Sequence, residues 1–193
     1  MAKLMYITST SLDGYVEDET GAIDWGNPEQ IHEFITELVR PVGTHLCGRR
    51  LYETMAYWNS PVESYPPEHL EFARVWQKAE TIVFSRTMTG PATPDTRIER
   101  EFDPEVIRKL KRESERDVTV GGAELAGLAL EANLVDECHL FIHPVTVGGG
   151  KPAFRPGFRR NLELLGTRRF STGVIYVHYR LRSGGARGEV QGK

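Results

Sequence analysis

Cysteine is scarce. The 193 residues hold two, Cys47 and Cys138, far apart and each inside an apolar run, with no CxxC pair and no disulfide framework. That excludes a small disulfide-stapled fold and makes a reducing, cytoplasmic compartment the expectation. Long hydrophobic runs are missing as well. No apolar stretch approaches the roughly 18 residues of a membrane helix, and the opening MAKLMYITST is too short and too soon polar for a signal peptide, so no membrane is expected. Neither sign of charge dominates: 24 basic and 27 acidic residues leave −3, against the basic footprint of a nucleic-acid binder. The histidines, His32, His45, His69, His139, His143 and His178, make no HExxH. His139 and His143 fall on one expected strand, where four residues span about 13 Å, too far for one ion. No metal is expected, and no GxSxG elbow marks a serine hydrolase.

What is present is an ordinary globular composition, 39% apolar and 26% charged, in a length that suits one domain of about 100–200 residues. A single domain over 1–182 is expected, with 183–193, glycine-rich and nearly without apolar residues, as a disordered tail. Short β-branched or aromatic runs alternate with amphipathic segments, the pattern of an α/β fold. Strands are expected at 3–9, 44–48, 81–85, 97–101, 117–120, 137–144, 162–170 and 173–182. The last two, joined by Ser171-Thr172-Gly173, read as an antiparallel C-terminal hairpin. Ile31, Phe34, Ile35, Leu38 and Val39 keep helical spacing between Pro28 and Pro41. Asp103-Pro104 reads as an N-cap with proline in the first turn. Helices are also expected at 123–133 and, more weakly, 68–79. The segments 60–67 and 90–95 read as surface loops.

Several strand ends carry residues suited to a ligand. VTVGGAEL runs from an apolar strand through Gly121-Gly122 into a helix, whose first N–H groups suit a phosphate, although GG also serves plain tight turns. Gly48-Arg49-Arg50-Leu51-Tyr52-Glu53 puts two arginines at a helix start, against the helix dipole. Either a polyanion binds there or the arginines pair with acids such as Glu53. TIVFSR ends a third strand at Ser85-Arg86. Ligands of α/β sheets lie at the carboxyl ends of strands, and the three ends together point there. The acidic loop SLDGYVEDETGAIDW is long enough to be a lid, or its acids are simply solvated.

These segments, SLDGYV, GAIDW, GRRLYE, FSR, VGGAEL and LVDECHLFIHPVTVGGGKPAF, taken in order, resemble the dihydrofolate reductase superfamily. Within it they are most similar to the branch of the C-terminal reductase domain of the riboflavin-biosynthesis deaminase-reductase and its stand-alone relatives. The resemblance implies a central, mostly parallel mixed sheet flanked by helices, with the antiparallel hairpin, and NADPH as hydride donor. It implies that Arg49 contacts the adenosine 2′-phosphate with Arg86 nearby, and that Gly48, Arg50 and Ser85 are further cofactor-binding positions. Gly121, Gly122, Ala123, Glu124 and Leu125 would hold the pyrophosphate, and Thr8, Ser9 and Val16 would flank the nicotinamide. Asp13, Trp25 and Val120 are the expected substrate contacts, and Asp13 and Glu29 the catalytic candidates, with water as an alternative proton source.

Two departures narrow the substrate. Dihydrofolate reductases carry an acid about five residues past the loop tryptophan; counting from Trp25 reaches Gln30, with Glu29 one step short. The riboflavin-pathway reductases usually read SLDGK or SLDGR, and here the position is Tyr15. The leading expectation is therefore an NADPH-dependent oxidoreductase for a small polar or heterocyclic molecule. The alternatives are 5-amino-6-(5-phosphoribosylamino)uracil reductase and, from another class, a non-catalytic NADP-binding module. A homodimer is expected from 139–154 and from Trp58 and Trp76, large groups without an obvious local core, with part of the inference by analogy.

Overall fold

The computed structural model describes residues 1–26, 29–90, 93 and 96–182; the expected tail and most of the 90–95 loop fall outside them. Among the described residues ten strands and five α-helices follow in chain order. They are β1 (Leu4–Thr10), β2 (Tyr15–Glu17), α1 (Glu29–Val39), β3 (Val42–Gly48), α2 (Arg49–Met55), α3 (Pro67–Trp76), β4 (Glu80–Phe84) and β5 (Thr96–Glu99). Then come α4 (Pro104–Glu113), β6 (Asp117–Gly121), α5 (Ala123–Glu131), β7 (Glu137–Ile142), β8 (Lys151–Pro152), β9 (Leu162–Arg169) and β10 (Ile175–Leu181).

Eight strands form one sheet in the order β5-β4-β3-β6-β1-β7-β10-β9, and β2 with β8 forms a second, two-stranded one. The pairings from β5 through β7 are parallel. β10 runs antiparallel to β7 and to β9, as expected of the C-terminal hairpin. This is the α/β arrangement with a mostly parallel mixed sheet that the sequence implies. No helix among the described residues is long and apolar enough to cross a membrane.

Parallel strands covered on both faces are apolar at consecutive positions, because successive side chains point to opposite sides. In β1, Leu4 and Tyr6 join Leu46, Ile82, Val118 and Val120 beneath α4 and α5. Met5 turns the other way and joins Cys47, Val83, Phe72 and Trp76 beneath α1 and α3. A third cluster, Ile31, Phe141, Phe170, Val174 and Tyr176, ties α1 to the hairpin. The α4 start behaves as its sequence requires: Asp103 accepts a hydrogen bond from Glu105 N at 2.8 Å, with Pro104 in the first turn.

Two expectations change. The 60–67 stretch carries a 3-10 turn, Val62–Ser64, and buries Tyr65, whose hydroxyl accepts from Ser60 N and donates to Tyr57 O. The tryptophans also have a core of their own. Trp76 stacks on His45 with ring centroids 4.1 Å apart, and Trp58 packs edge-on against Phe72 at 4.6 Å. Aromatic area satisfied within the chain is no argument for a partner. Large exposed apolar side chains are scattered, at Leu12, Ile23, Tyr57, Val106 and Leu128 among others, and three of them, Leu162, Leu164 and Ile175, lie on the hairpin.

Candidate active site

The chain leaves β1 toward β3 and leaves β6 toward β7, in opposite directions from neighbouring strands. That reversal opens a crevice at the carboxyl ends of an α/β sheet. The register brings the three suspected segments to one rim. Cys47 is level with Gly121, and Gly48 with Phe84, so Gly48-Arg49, Ser85-Arg86 and Gly121-Gly122 leave adjacent strands side by side.

Glycine is required here for two separate reasons. A Cβ on Gly121 would come 2.2 Å from Leu51 Cδ2, so the end of the Leu51 side chain on α2 occupies the space that a larger residue would need. Gly122 takes φ +87°, and a methyl on it would lie 3.8 Å from Gly48 N, filling the gap between the two strand ends. Such backbone conformations favour glycine. Gly122 is also the N-cap of α5 and offers no capping side chain to the helix start. The crevice floor is therefore bare backbone.

The cations stand around it unequally. Arg49 is exposed and 3.8 Å from Glu53, a surface contact that costs little to break. Arg50 turns to Glu17 at 3.4 Å; Glu17 also holds Lys151 at 2.8 Å, and Lys151 reaches Glu124 at 3.6 Å. Arg50, with its side chain 74% exposed, makes only a surface ion pair with the small sheet, so Arg49, Arg50 and Arg86 are all exposed cations of the expected set. Ser85 is buried; its Oγ accepts from Met88 N at 3.1 Å and its carbonyl from Arg100 Nη1 at 2.9 Å. Arg100 also reaches Met88 O at 2.6 Å. Arg100 therefore shapes the turn that carries Arg86. Nothing in the local sequence marks it, since its targets lie 12 and 15 residues back.

Beyond the other side of the crevice, pairing of β1 with β6 ends at Tyr6 and Val120, and Thr8 and Ser9 run on beside β7. Val16 lies in β2, which pairs with β8 through Tyr15–Pro152 and Glu17–Lys151. Asp13 is exposed, and its carboxylate accepts from Val147 N at 3.2 Å and Gly148 N at 2.8 Å. Hydrogen bonds from Ser11 and then from Gly148 hold its pKa below the ordinary carboxylate value. The geometry makes Asp13 a clasp between the acidic loop and the VTVGGG loop.

Val120 does not line the crevice. It is 1% exposed and sits in the core with Leu46 and Tyr6, two residues short of where substrate could touch, because it points to the α4–α5 face. Ala123 and Leu125 are likewise buried, so only their backbone can serve a ligand. Glu29 is the exposed first residue of α1. Trp25 and a residue missed in the sequence stand together. His143 follows β7 directly, its backbone N–H bonded to Thr10 O at 2.8 Å and its ring buried 6.5 Å from that of Trp25. His143 Nε2 and Trp25 Nε1 are both buried without a hydrogen-bond partner. Burial lowers the His143 pKa, so the ring is neutral at neutral pH. Two orphaned polar atoms on neighbouring rings are a place for a polar ligand group. The only sequence signal for His143 was its position just past an apolar strand.

Comparison with known proteins completes the description. The Bacillus subtilis (strain 168) protein YyaP is 32% identical over 173 residues, covering 89% of this chain and 90% of its own. Enterococcus faecalis dihydrofolate reductase, solved with NADP(H) bound, superposes with a TM-score of 0.66 at 17% identity over 94% of this chain and 97% of that one. Acinetobacter baumannii RibD superposes with a TM-score of 0.71 at 15% identity, over 94% of this chain and 58% of that longer protein. At these identities the two structural likenesses establish the fold. The sequence model of the RibD C-terminal domain matches residues 2–176. This chain, with its glycine-floored crevice and its hairpin-closed sheet, belongs to the RibD C-terminal domain family.

Proposed function

We propose that the protein is an NADPH-dependent reductase of a small polar or heterocyclic molecule. The observation that carries this is the rim on β3, β4 and β6, where bare glycine backbone on β3 and β6 lies beside the exposed Arg49, Arg50 and Arg86. In this reading Gly48, Gly121 and Gly122, with the backbone N–H groups of Ala123, Glu124 and Leu125, hold the pyrophosphate. Arg49 and Arg86 hold the adenosine 2′-phosphate. Thr8, Ser9 and Val16 border the nicotinamide end. The bound cofactor supplies the hydride; the chain supplies position and a water-poor pocket. Trp25 Nε1 donates to an acceptor on the substrate, and neutral His143, on the neighbouring ring, offers Nε2. Asp13 keeps the loop in place, and either Glu29 or water delivers the proton.

Calorimetric titration of the wild type and of Arg49→Ala with NADPH and NADH tests it. Charge-assisted contacts are worth about 1.5–3 kcal/mol, so Arg49→Ala should weaken NADPH by roughly 10- to 100-fold and leave NADH nearly unchanged. The preference should shrink as salt rises. Equal NADPH and NADH affinity in the wild type removes the reading. Turnover of 5-amino-6-(5-phosphoribosylamino)uracil, which family membership favours and Tyr15 disfavours, would assign the riboflavin step. Tight NADPH binding without oxidation over carbonyl, imine and pterin substrates would leave a binding module. A homodimer is proposed through the exposed apolar face of the β9–β10 hairpin; a light-scattering mass near 22 kDa at micromolar concentration would count against it.

A further inference from the structure

At the opposite end of the sheet three metal-ligand side chains converge. Glu137 opens β7, His139 follows on the same face, and antiparallel β10 sets His178 level with His139. Glu137 Oε2 lies 3.1 Å from His178 Nε2 and 3.8 Å from His139 Nε2. The three donor atoms all fall within 4.8 Å of one another. The imidazoles stack with centroids 4.1 Å apart. The side chains of Glu137 and His139 are 5% and 2% exposed, while His178, at 23%, reaches solvent.

One detail decides between two readings of this cluster. Lys3 Nζ sits 3.0 Å from Glu137 Oε1, so a Lys3–Glu137–His178 ion network would satisfy the carboxylate without any metal. It would not satisfy His139, whose Nε2 is buried, aimed at the cluster and without a hydrogen-bond partner. Its other nitrogen, Nδ1, is 2.7 Å from Tyr176 Oη. With the Nδ1 proton donated to that oxygen, Nε2 keeps a free lone pair within 4.8 Å of the other two donors. A ring nitrogen anchored by an outer partner, with its mate aimed at an ion, is the usual environment of a ligating histidine.

We propose that Glu137, His139 and His178 bind a borderline transition-metal dication of the Zn²⁺ class, with solvent in the remaining position on the His178 side. Two imidazoles and one carboxylate suit Zn²⁺ and its neighbours, whereas Mg²⁺ and Ca²⁺ take oxygen ligands. In a tetrahedral site with bonds of about 2.0–2.1 Å the donors stand about 3.3 Å apart. The His178–Glu137 separation, 3.1 Å, already matches; the His139–Glu137 separation of 3.8 Å must close by about half an ångström, and the two stacked imidazoles, whose donors lie within 4.8 Å, must tilt toward each other. Lys3 keeps Oε1 and leaves Oε2 to the ion. The ion would staple β7 to β10 some 15 Å from the carboxyl-end crevice, taking about 3.3 Å per residue along β7. Its presence or absence is therefore independent of the proposed cofactor site.

The test uses the full chain without a histidine tag, stripped with chelator and titrated calorimetrically with Zn²⁺, then with Co²⁺ read by visible absorption. One Zn²⁺ per chain with Kd of about 1 µM or tighter is expected, as for sites whose ligands the fold presents together. At 100 times Kd the melting temperature should rise by about 5–10 °C. Tyr176→Phe should cost about 10- to 100-fold in affinity, the usual effect of an outer partner, and His178→Gln or His139→Gln more than that. If buried His139→Gln fails to fold, the partly exposed His178→Gln carries the test, with its metal-free melt as the folding control. Absence of saturable binding, or Zn²⁺ binding that both His178→Gln and Glu137→Gln leave unchanged, overturns the proposal.

Discussion

A single methyl group on Gly150 should release the acidic loop. Gly150 takes φ +124°, and a Cβ there would stand 2.1 Å from Glu17 O and 2.6 and 2.7 Å from Asp18 C and Cα. Those are backbone atoms of the paired segment, so no rotamer can yield; the two strands must separate. The dihedral alone costs an L-residue about 1–2 kcal/mol, and overpacking typically adds about 1–3 kcal/mol. Two registered pairs, Tyr15–Pro152 and Glu17–Lys151, cannot absorb that. Gly148→Ala is the matched control: φ is +76° but nothing lies within 4 Å, so only the dihedral term applies. Hydrogen exchange should show Gly150→Ala losing protection across β2 with the large sheet untouched, and limited proteolysis should cut within 10–26. NADPH affinity should fall with it, because Val16 and the Glu17–Arg50 tie lie in the released segment. Equal exchange in the two variants would refute the packing argument.

Removing the α4 cap by Asp103→Ala should cost about 0.5–2 kcal/mol and lower the melting temperature by roughly 1–8 °C, read by calorimetry. Arg100→Ala should leave the fold intact and weaken NADPH several-fold by loosening the Ser85–Met88 turn; an unchanged dissociation constant would show that Arg86 needs no such support. Asp13 ionises below its reference value of 3.8 in the folded chain, so its contribution is complete above that value and disappears as pH falls through the lower folded value. Exchange protection at Val147 and Gly148 should accordingly drop on acidification, and Asp13→Asn should flatten that dependence.

The strand ends were legible in the sequence because their signals are local. An apolar run, then glycine, then a helix start can be read within eight residues, as in VTVGGAEL. The helical spacing of Ile31 to Val39 and the turn between β9 and β10 are equally local. What escaped depends on which strands become neighbours. β2 is a strand only because Lys151–Pro152, some 135 residues on, lies against it. The histidines look unorganised along the chain, since His139 and His143 are too far apart on one strand, yet His178 arrives opposite His139 from the next strand. Val120 was misread for a related reason. Its nearness to the glycines suggested the crevice, while alternation along β6 turns it into the core.

The position of β1 has a consequence for how the chain is made. It is the central strand, yet its two neighbours begin at Asp117 and Glu137. At about 5–20 residues per second of synthesis, Leu4 waits roughly 6–23 s for Val118, and longer for β7. Throughout that interval LMYI is an apolar strand with both edges open, the condition in which nascent chains mispair or recruit chaperones. A ribosome stalled before Asp117 would therefore present a chain that has made β3, β4 and β5 but has nothing to set beside β1. Force-sensitive arrest at increasing lengths should register folding only once β6, and then β7, has cleared the exit tunnel.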